Sequence, residues 1–443
     1  MPDHLNEVAL SRRGLLRAGA LLGGGATFGS LPLAPALARA AEAAAIEAQW
    51  PSVTALIDKY VKARKVSGMI AALGFADQAP GYIARGREGF DDRDASGPNS
   101  LFRAYSMTKP VTGMAAMILI DEGKMRLDQP LADFAPEFAT MQVAIDPDKS
   151  LAARPTQTQI TIRHLLTHTA GLGYAVVGRN KVADELKRLG LNPGIVSRIK
   201  LPGVNDHPPI PDPDTFLKLS AMVPLVAEPG TKWRYSMSLD VLGIVIARAA
   251  GTKSLGAFME ERIFGPLGMT NTFFQVPDAA RPRLTTNYGF FAGLPVAIDR
   301  PRNSIYAAPL PFHFGGSGLV TSPADYDRFL AMVVGGGAVG GKRVMSEAAV
   351  KMGTSNLLPE GADTSGTWVE KYHFGAGGMV GTGRDEGLYG WSGAAGTVGL
   401  AQTKFKLRSS LYVQYMPQDH YPILREFPVA VAADLIARTK AAG

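Results

Sequence analysis

Residues 102–111 read FRAYSMTKPV, with Ser106 and Lys109 three positions apart just where an apolar helical pattern begins. On a helix that spacing puts two side chains on one face, so the lysine amine reaches the serine hydroxyl. A serine hydroxyl alone is a weak nucleophile and needs a base. A lysine serves as that base only without its proton, and burial together with the positive end of a helix dipole disfavours the ammonium form. Pro110 suits a helix entrance, because proline is tolerated in a first turn and not deeper. The spacing alone is not decisive, since SRIK at residues 197–200 repeats it. That copy lies among basic, loop-flanked residues with no apolar helix behind it and reads as a solvated surface segment. Context selects Ser106 and Lys109.

Other chemistries find less support. The Gly-x-Ser-x-Gly elbow of α/β-hydrolases is absent; GGSGL around Ser317 fails at its last position. His164 and His168 in HLLTH are four apart, which is metal-ligand spacing, but Leu165 stands where a metalloprotease needs glutamate. With no cysteine and no evident third ligand they read as structural histidines. The glycine clusters near 335 and 375 lack the lysine or acidic partner of a phosphate loop. No metal or organic cofactor is expected.

The elements that must position Ser106 follow from pattern. At 443 residues, 46% hydrophobic and 19% charged, the chain has the composition of a folded globular protein. The net charge of +7 is scattered, without the like-charge runs of a nucleic-acid face. Zero cysteines exclude disulfides, thiolate metal sites and a cysteine nucleophile. Residues 1–40 carry Arg12 and Arg13, an apolar run, and small residues at Ala36, Ala38 and Ala40, the layout of a cleaved twin-arginine signal; Pro32, Pro35 and Gly23 to Gly25 oppose a stable spanning helix. The expected product is periplasmic or secreted, without stable membrane insertion. Val53, Leu56, Ile57, Tyr60 and Val61 recur at helical spacing, and MIAALGF with GYIARGREG reads as a hairpin. Residues 125–325 are mostly helical patches joined by polar, proline-rich loops, the longest from residue 201. LYGWSG, TVGLAQT and SSLYVQYM then read as strands before a last helix from about residue 424. Strands at both ends with helices between predict an α/β (α+β) fold: an antiparallel sheet from about 68–87 and 385–416, flanked by helices, with a helical region inserted and the site in the cleft between them.

Five segments in order resemble the serine β-lactamase-like superfamily, in particular the class C-related family VIII carboxylesterases. They are FRAYSMTKPVTGMAAMILIDEGKMRLDQPL, TIRHLLTHTAGL, VAEPGTKWRYSMSLDVLG, GGSGLVTSPADYDRFLAMVVGGG and YGWSGAAGT. The resemblance implies a single hydrolase domain over residues 41–443, with Ser106 as nucleophile and Lys109 as the motif lysine. It implies Tyr235, in YSM, as the tyrosine that relays the proton between nucleophile and leaving group. The third motif is similar to Trp391, Ser392 and Gly393, and the oxyanion hole then uses the backbone N–H groups of Ser106 and Ala394. A His-x-Gly version at His313 or His373 is the weaker alternative.

Two positions depart from the pattern. Met237 stands where β-lactamases carry an asparagine that holds a substrate amide, and a thioether offers no such donor and acceptor pair. Trp391 replaces the lysine that would attract a substrate carboxylate. Both point from an anionic amide toward a neutral ester. The expected function is therefore hydrolysis of small-molecule, short-chain esters through an acyl-enzyme. Two other readings stand beside it: a β-lactamase, D-aminopeptidase, DD-peptidase or oligoamide hydrolase sharing the acylation machinery, and a non-catalytic penicillin-binding-like protein. No nucleic-acid partner is expected, and nothing in the sequence sets an oligomeric state.

Overall fold

The computed structural model describes residues 33–194, 197–198 and 208–442. Most of the expected signal segment, the final lysine of the SRIK repeat and much of the loop from residue 201 lie outside the described residues. The chain forms two units, residues 1–45 and 46–443. The described part of the first is helical, within Leu33–Gln49. The second carries everything below.

Its centre is a seven-stranded antiparallel sheet. The strands are β1 (Gly68–Phe75), β2 (Gly81–Gly86), β3 (His373–Phe374), β4 (Met379–Val380), β5 (Leu388–Gly393), β6 (Thr397–Gln402) and β7 (Leu407–Tyr412), in spatial order β3-β4-β5-β6-β7-β1-β2. The junction of the two chain ends is the β1–β7 pairing, from Ile70 opposite Tyr412 to Phe75 opposite Leu407. The expected sheet is present and extended by two short strands, β3 and β4.

Strand side chains alternate between faces, and the sheet divides two cores on that basis. Met69, Ala71 and Leu73 of β1 pack outward, with Val398, Leu400 and Leu411, against helices α1 (Pro51–Lys62) and α6 (Ile423–Ala442) through Ile57, Tyr60 and Phe427. Ile70, Tyr389 and Tyr412 face the larger core, built around α2 (Thr108–Asp121), α3 (Ile162–Leu166), α4 (Ser238–Ala250) and α5 (Pro323–Val334). With helices on both faces, β6 is buried at every residue. Polar character in TVGLAQ thus does not mark an exposed strand.

In α2 every residue from Thr108 to Leu119 is buried, as expected of a helix that is apolar nearly all round. Gly113 lets the Ala376 backbone lie against it; a Cβ there would stand 1.9 Å from the Ala376 carbonyl oxygen. The turn between β3 and β4 can therefore close on the helix that begins beside Ser106. Among the described residues no single helix is long and apolar enough to cross a membrane.

Ser197 departs from expectation. It is 2% exposed and donates to the Ile298 carbonyl at 2.5 Å, so this copy of the serine–lysine spacing begins at a buried structural hydroxyl and not on a solvated surface.

Candidate active site

Ser106 occupies a single 3-10 turn, Tyr105–Met107, that runs directly into α2. Tyr105 adopts a φ of 43°, an uncommon left-handed conformation for a bulky residue, and so turns the chain sharply before the serine. Just upstream, Arg103 is buried beside Asp299, donating to its carboxylate at 2.7 Å and to the Thr285 carbonyl at 2.6 Å. A buried charge so fully partnered fixes the strand that delivers Ser106.

Lys109 follows one turn later and is 0% exposed. Its Nζ lies 3.1 Å from Ser106 Oγ and donates to the Gly316 carbonyl at 2.7 Å. Tyr235, from the loop before α4, donates its hydroxyl to the same Oγ at 2.7 Å. Trp391 on β5 in turn donates its indole N–H to the Tyr235 oxygen at 3.3 Å. Two of the sequence motifs thus meet at one serine oxygen, and the third reaches it through the Tyr235 hydroxyl. The Lys109 Nζ also sits 4.6 Å from the centre of the Tyr235 ring and 5.8 Å from that of Tyr174, a distance at which aromatic faces attract a cation.

The remaining expected residues divide. Gly393 ends β5 against the segment before the serine: a Cβ there would lie 2.2 Å from the Ala104 carbonyl oxygen and 2.3 Å from Thr397 Oγ1. Only glycine lets the strand end approach so closely, and Ala394 then lines the same cavity as Ser106. Met237 does not do what was expected of it. It is 1% exposed, sits at the N-cap of α4 with its side chain in the main core, and is absent from the residues lining the cavity. Its substitution for asparagine therefore has no direct route to a substrate. His313 accepts from the Gly256 N–H and stacks on Phe274, while His373 lies exposed on β3; neither touches Ser106.

Several residues enter that motif reading overlooked. Asp240, in the first turn of α4, is fully buried and accepts the Gly316 N–H at 2.8 Å. Gly316 thereby joins Asp240 to Lys109, using the two ends of one residue. Burial drives the Asp240 carboxyl up to about 6, while the nearby Lys109 charge opposes that rise. His168 is fully buried with a φ of 57°, and its ring centre lies 4.8 Å from that of Tyr235. Its Nδ1 lies 3.1 Å from Ser236 Oγ and 3.3 Å from the Ser236 backbone nitrogen. Burial, aided by the Lys109 charge, holds this imidazole well below its ordinary range, so it is neutral at pH 7. His164 instead caps α3: its Nδ1 accepts the Thr161 N–H at 3.2 Å, and burial lowers it to about 4.

A cavity of about 830 Å³ opens over Ser106, walled on the near side by Tyr174, Tyr235, Trp368 and Trp391. A nucleophile, a lysine and a phenol on one oxygen, facing an aromatic cavity, form the constellation that acyl transfer through a serine requires.

A beta-lactamase family model matches residues 53–424, most of the chain. The chain belongs to the beta-lactamase family. An uncharacterized protein of Mycobacterium tuberculosis is 33% identical over 358 residues, covering 74% of this chain and 82% of its own. Esterase EstB of Burkholderia gladioli is 34% identical over 224 residues, half of each chain. A crystal structure of a family VIII carboxylesterase superposes with a TM-score of 0.64 at 21% identity, covering 87% of this chain and 97% of that one, which bears on the fold. The beta-lactamase fold expected from the ordered motifs is therefore the fold of this chain, an antiparallel sheet with flanking helices.

Proposed function

We propose that this beta-lactamase family member is a serine hydrolase that forms an acyl-enzyme on Ser106, acting as a carboxylesterase on neutral, short-chain esters. The observation that carries it is the 2.7 Å hydrogen bond from Tyr235 to Ser106 Oγ, with Lys109 Nζ at 3.1 Å from the same atom. As Ser106 Oγ attacks the ester carbonyl, its proton passes to the Tyr235–Lys109 pair. The carbonyl oxygen gains the negative charge, which the resemblance assigns to the N–H groups of Ser106 and Ala394. Collapse breaks the bond to the alcohol, whose oxygen takes the proton back from Tyr235. A water then attacks the acyl-enzyme by the same route and frees the acid.

The preference for esters rests on Trp391. Where the resemblance implies a lysine for a substrate carboxylate, an indole packs 5.9 Å from the Tyr235 ring and spends its donor on the tyrosine oxygen. The half-length similarity to an esterase supports the same reading.

The test compares the chain with its Ser106→Ala variant on p-nitrophenyl butyrate and a chromogenic cephalosporin. Fast butyrate cleavage, slow or absent cephalosporin cleavage and loss of both in the variant are expected. Dominant cephalosporin turnover overturns the ester assignment and keeps the nucleophile. The paired arginines at 12 and 13 support export by the twin-arginine route to the periplasm or beyond. Fractionation of cells expressing the chain and an Arg12→Lys/Arg13→Lys variant tests this, with cytoplasmic retention of the variant expected.

A further inference from the structure

The cavity is larger than the proposed chemistry needs. Cavities of about 300–1,000 Å³ enclose ligands of drug size, and at about 830 Å³ this one far exceeds a butyryl group. The surplus lies on the outer face of β5 and β6. Their register sets Ser392 opposite Val398 and Gly390 opposite Leu400, and directly opposed residues share a face. Leu388, Ser392, Val398 and Leu400 therefore project together, away from the face that carries Trp391. All four line the cavity, and Leu424 and Pro428 of α6 line its far side.

This arm is lined by the apolar side chains of Leu388, Leu424 and Pro428 together with the edges of Val398 and Leu400, which are 5% and 8% exposed because they otherwise pack in the core against α6. Its rim carries exposed Asp385, Asp419 and Arg425, charges of both signs that favour no single ionic tail. The residues of the arm and Ser106 line one cavity, with Ala394 and Ser392 among its walls. A group that fills it is thus joined to the reacting carbonyl and belongs to the substrate.

We propose that the arm between the outer face of β5–β6 and α6 binds the larger, apolar half of the ester, an extended alkyl chain, and sets substrate preference. This rests on the ester hydrolase reading. Each methylene buried in such an arm raises kcat/KM about fourfold until the arm is full.

The experiment measures kcat/KM for p-nitrophenyl esters from acetate to dodecanoate and, separately, for acetates of alcohols of rising length, with Ser106→Ala as the blank. The first series assigns the arm to the acyl half and the second to the alcohol half. A rise of at least tenfold beyond four carbons in either series supports the proposal. Leu400→Trp and, independently, Leu388→Phe, which narrow the arm, are expected to lower the long-to-short ratio at least tenfold in that series. Ser106-dependent cleavage of short esters with both series flat or falling beyond four carbons overturns this proposal alone, as does a ratio that neither variant moves. Absence of any Ser106-dependent ester cleavage overturns the hydrolase reading and this one with it.

Discussion

Asp240 and Lys109 hold opposite ends of one residue: Gly316 gives its N–H to the Asp240 carboxylate at 2.8 Å and accepts a hydrogen bond from Lys109 Nζ on its carbonyl at 2.7 Å. The acid thus fixes the loop that fixes the lysine. Asn at 240 keeps the acceptor for Gly316 and removes the charge beside Lys109. Asp240→Asn is expected to lower kcat/KM for p-nitrophenyl butyrate about tenfold or more with KM little changed. Because burial raises the Asp240 carboxyl to about 6 from 3.8, the folded state holds the proton more tightly than the unfolded one. The Asp240 contribution to stability, read as the difference between wild type and Asp240→Asn, therefore falls as pH rises from about 4 to about 6, by up to about 3 kcal/mol. Urea unfolding across that range checks this, and a variant curve parallel to wild type rules it out.

Tyr235 is expected to act through its oxygen and not its ring. The ring packs near Trp233 and Trp391 with centroids at 6.0 Å and 5.9 Å, and phenylalanine fills the same space. Tyr235→Phe should lower kcat by about 10²–10⁴ while the melting temperature stays within a few degrees. A loss under tenfold would assign the proton transfer to Lys109 alone.

Trp391→Lys tests the basis of substrate preference. It restores a cation at the position where the resemblance implies one and deletes the indole donor to Tyr235. The ratio of cephalosporin to butyrate turnover is expected to rise at least tenfold, largely through slower ester cleavage. An unchanged ratio would move the determinant elsewhere in the cavity.

His164 should sensitise the fold to acid. Its folded value, about 4 against an ordinary 6.5, means that protonation favours the unfolded chain. Its share of stability, up to about 3 kcal/mol, is present above about pH 6.5 and lost as pH falls toward 4. His164→Gln should flatten that stretch of the stability curve at the cost of a weakened α3 cap. Thermal melts from pH 4 to 7 check it.

Ser106 and Lys109 were legible as a pair because both lie on the continuous turn and helix at the α2 entrance, where spacing in sequence is spacing in space. Tyr235 and Trp391 have no such local signal. One lies on a loop and the other on a strand, and only ordered resemblance brought them together with the serine. Met237 shows the limit of that method: a position in a motif does not tell which way a side chain points, and this one points into the core. Asp240 and His168 were missed because their importance comes from burial beside Lys109. Asp240 in a first helical turn looks like an ordinary surface acid, and the HLLTH spacing drew attention to metals and away from Tyr235. The strands β3 and β4 are two residues each, too short for any alternation to be seen.

The pairing of β1 with β7 has a consequence for the life of the molecule before it is complete. A ribosome exposes Ser106 and Lys109 early, yet Trp391, Ala394 and the strand that anchors the hairpin of residues 68–86 emerge only near the end of synthesis. Until then the serine lacks both the indole that supports Tyr235 and the end of β5 that packs against the segment before it. The nascent chain is consequently an inert passenger, and its reactivity begins only when its two distant ends are stitched side by side.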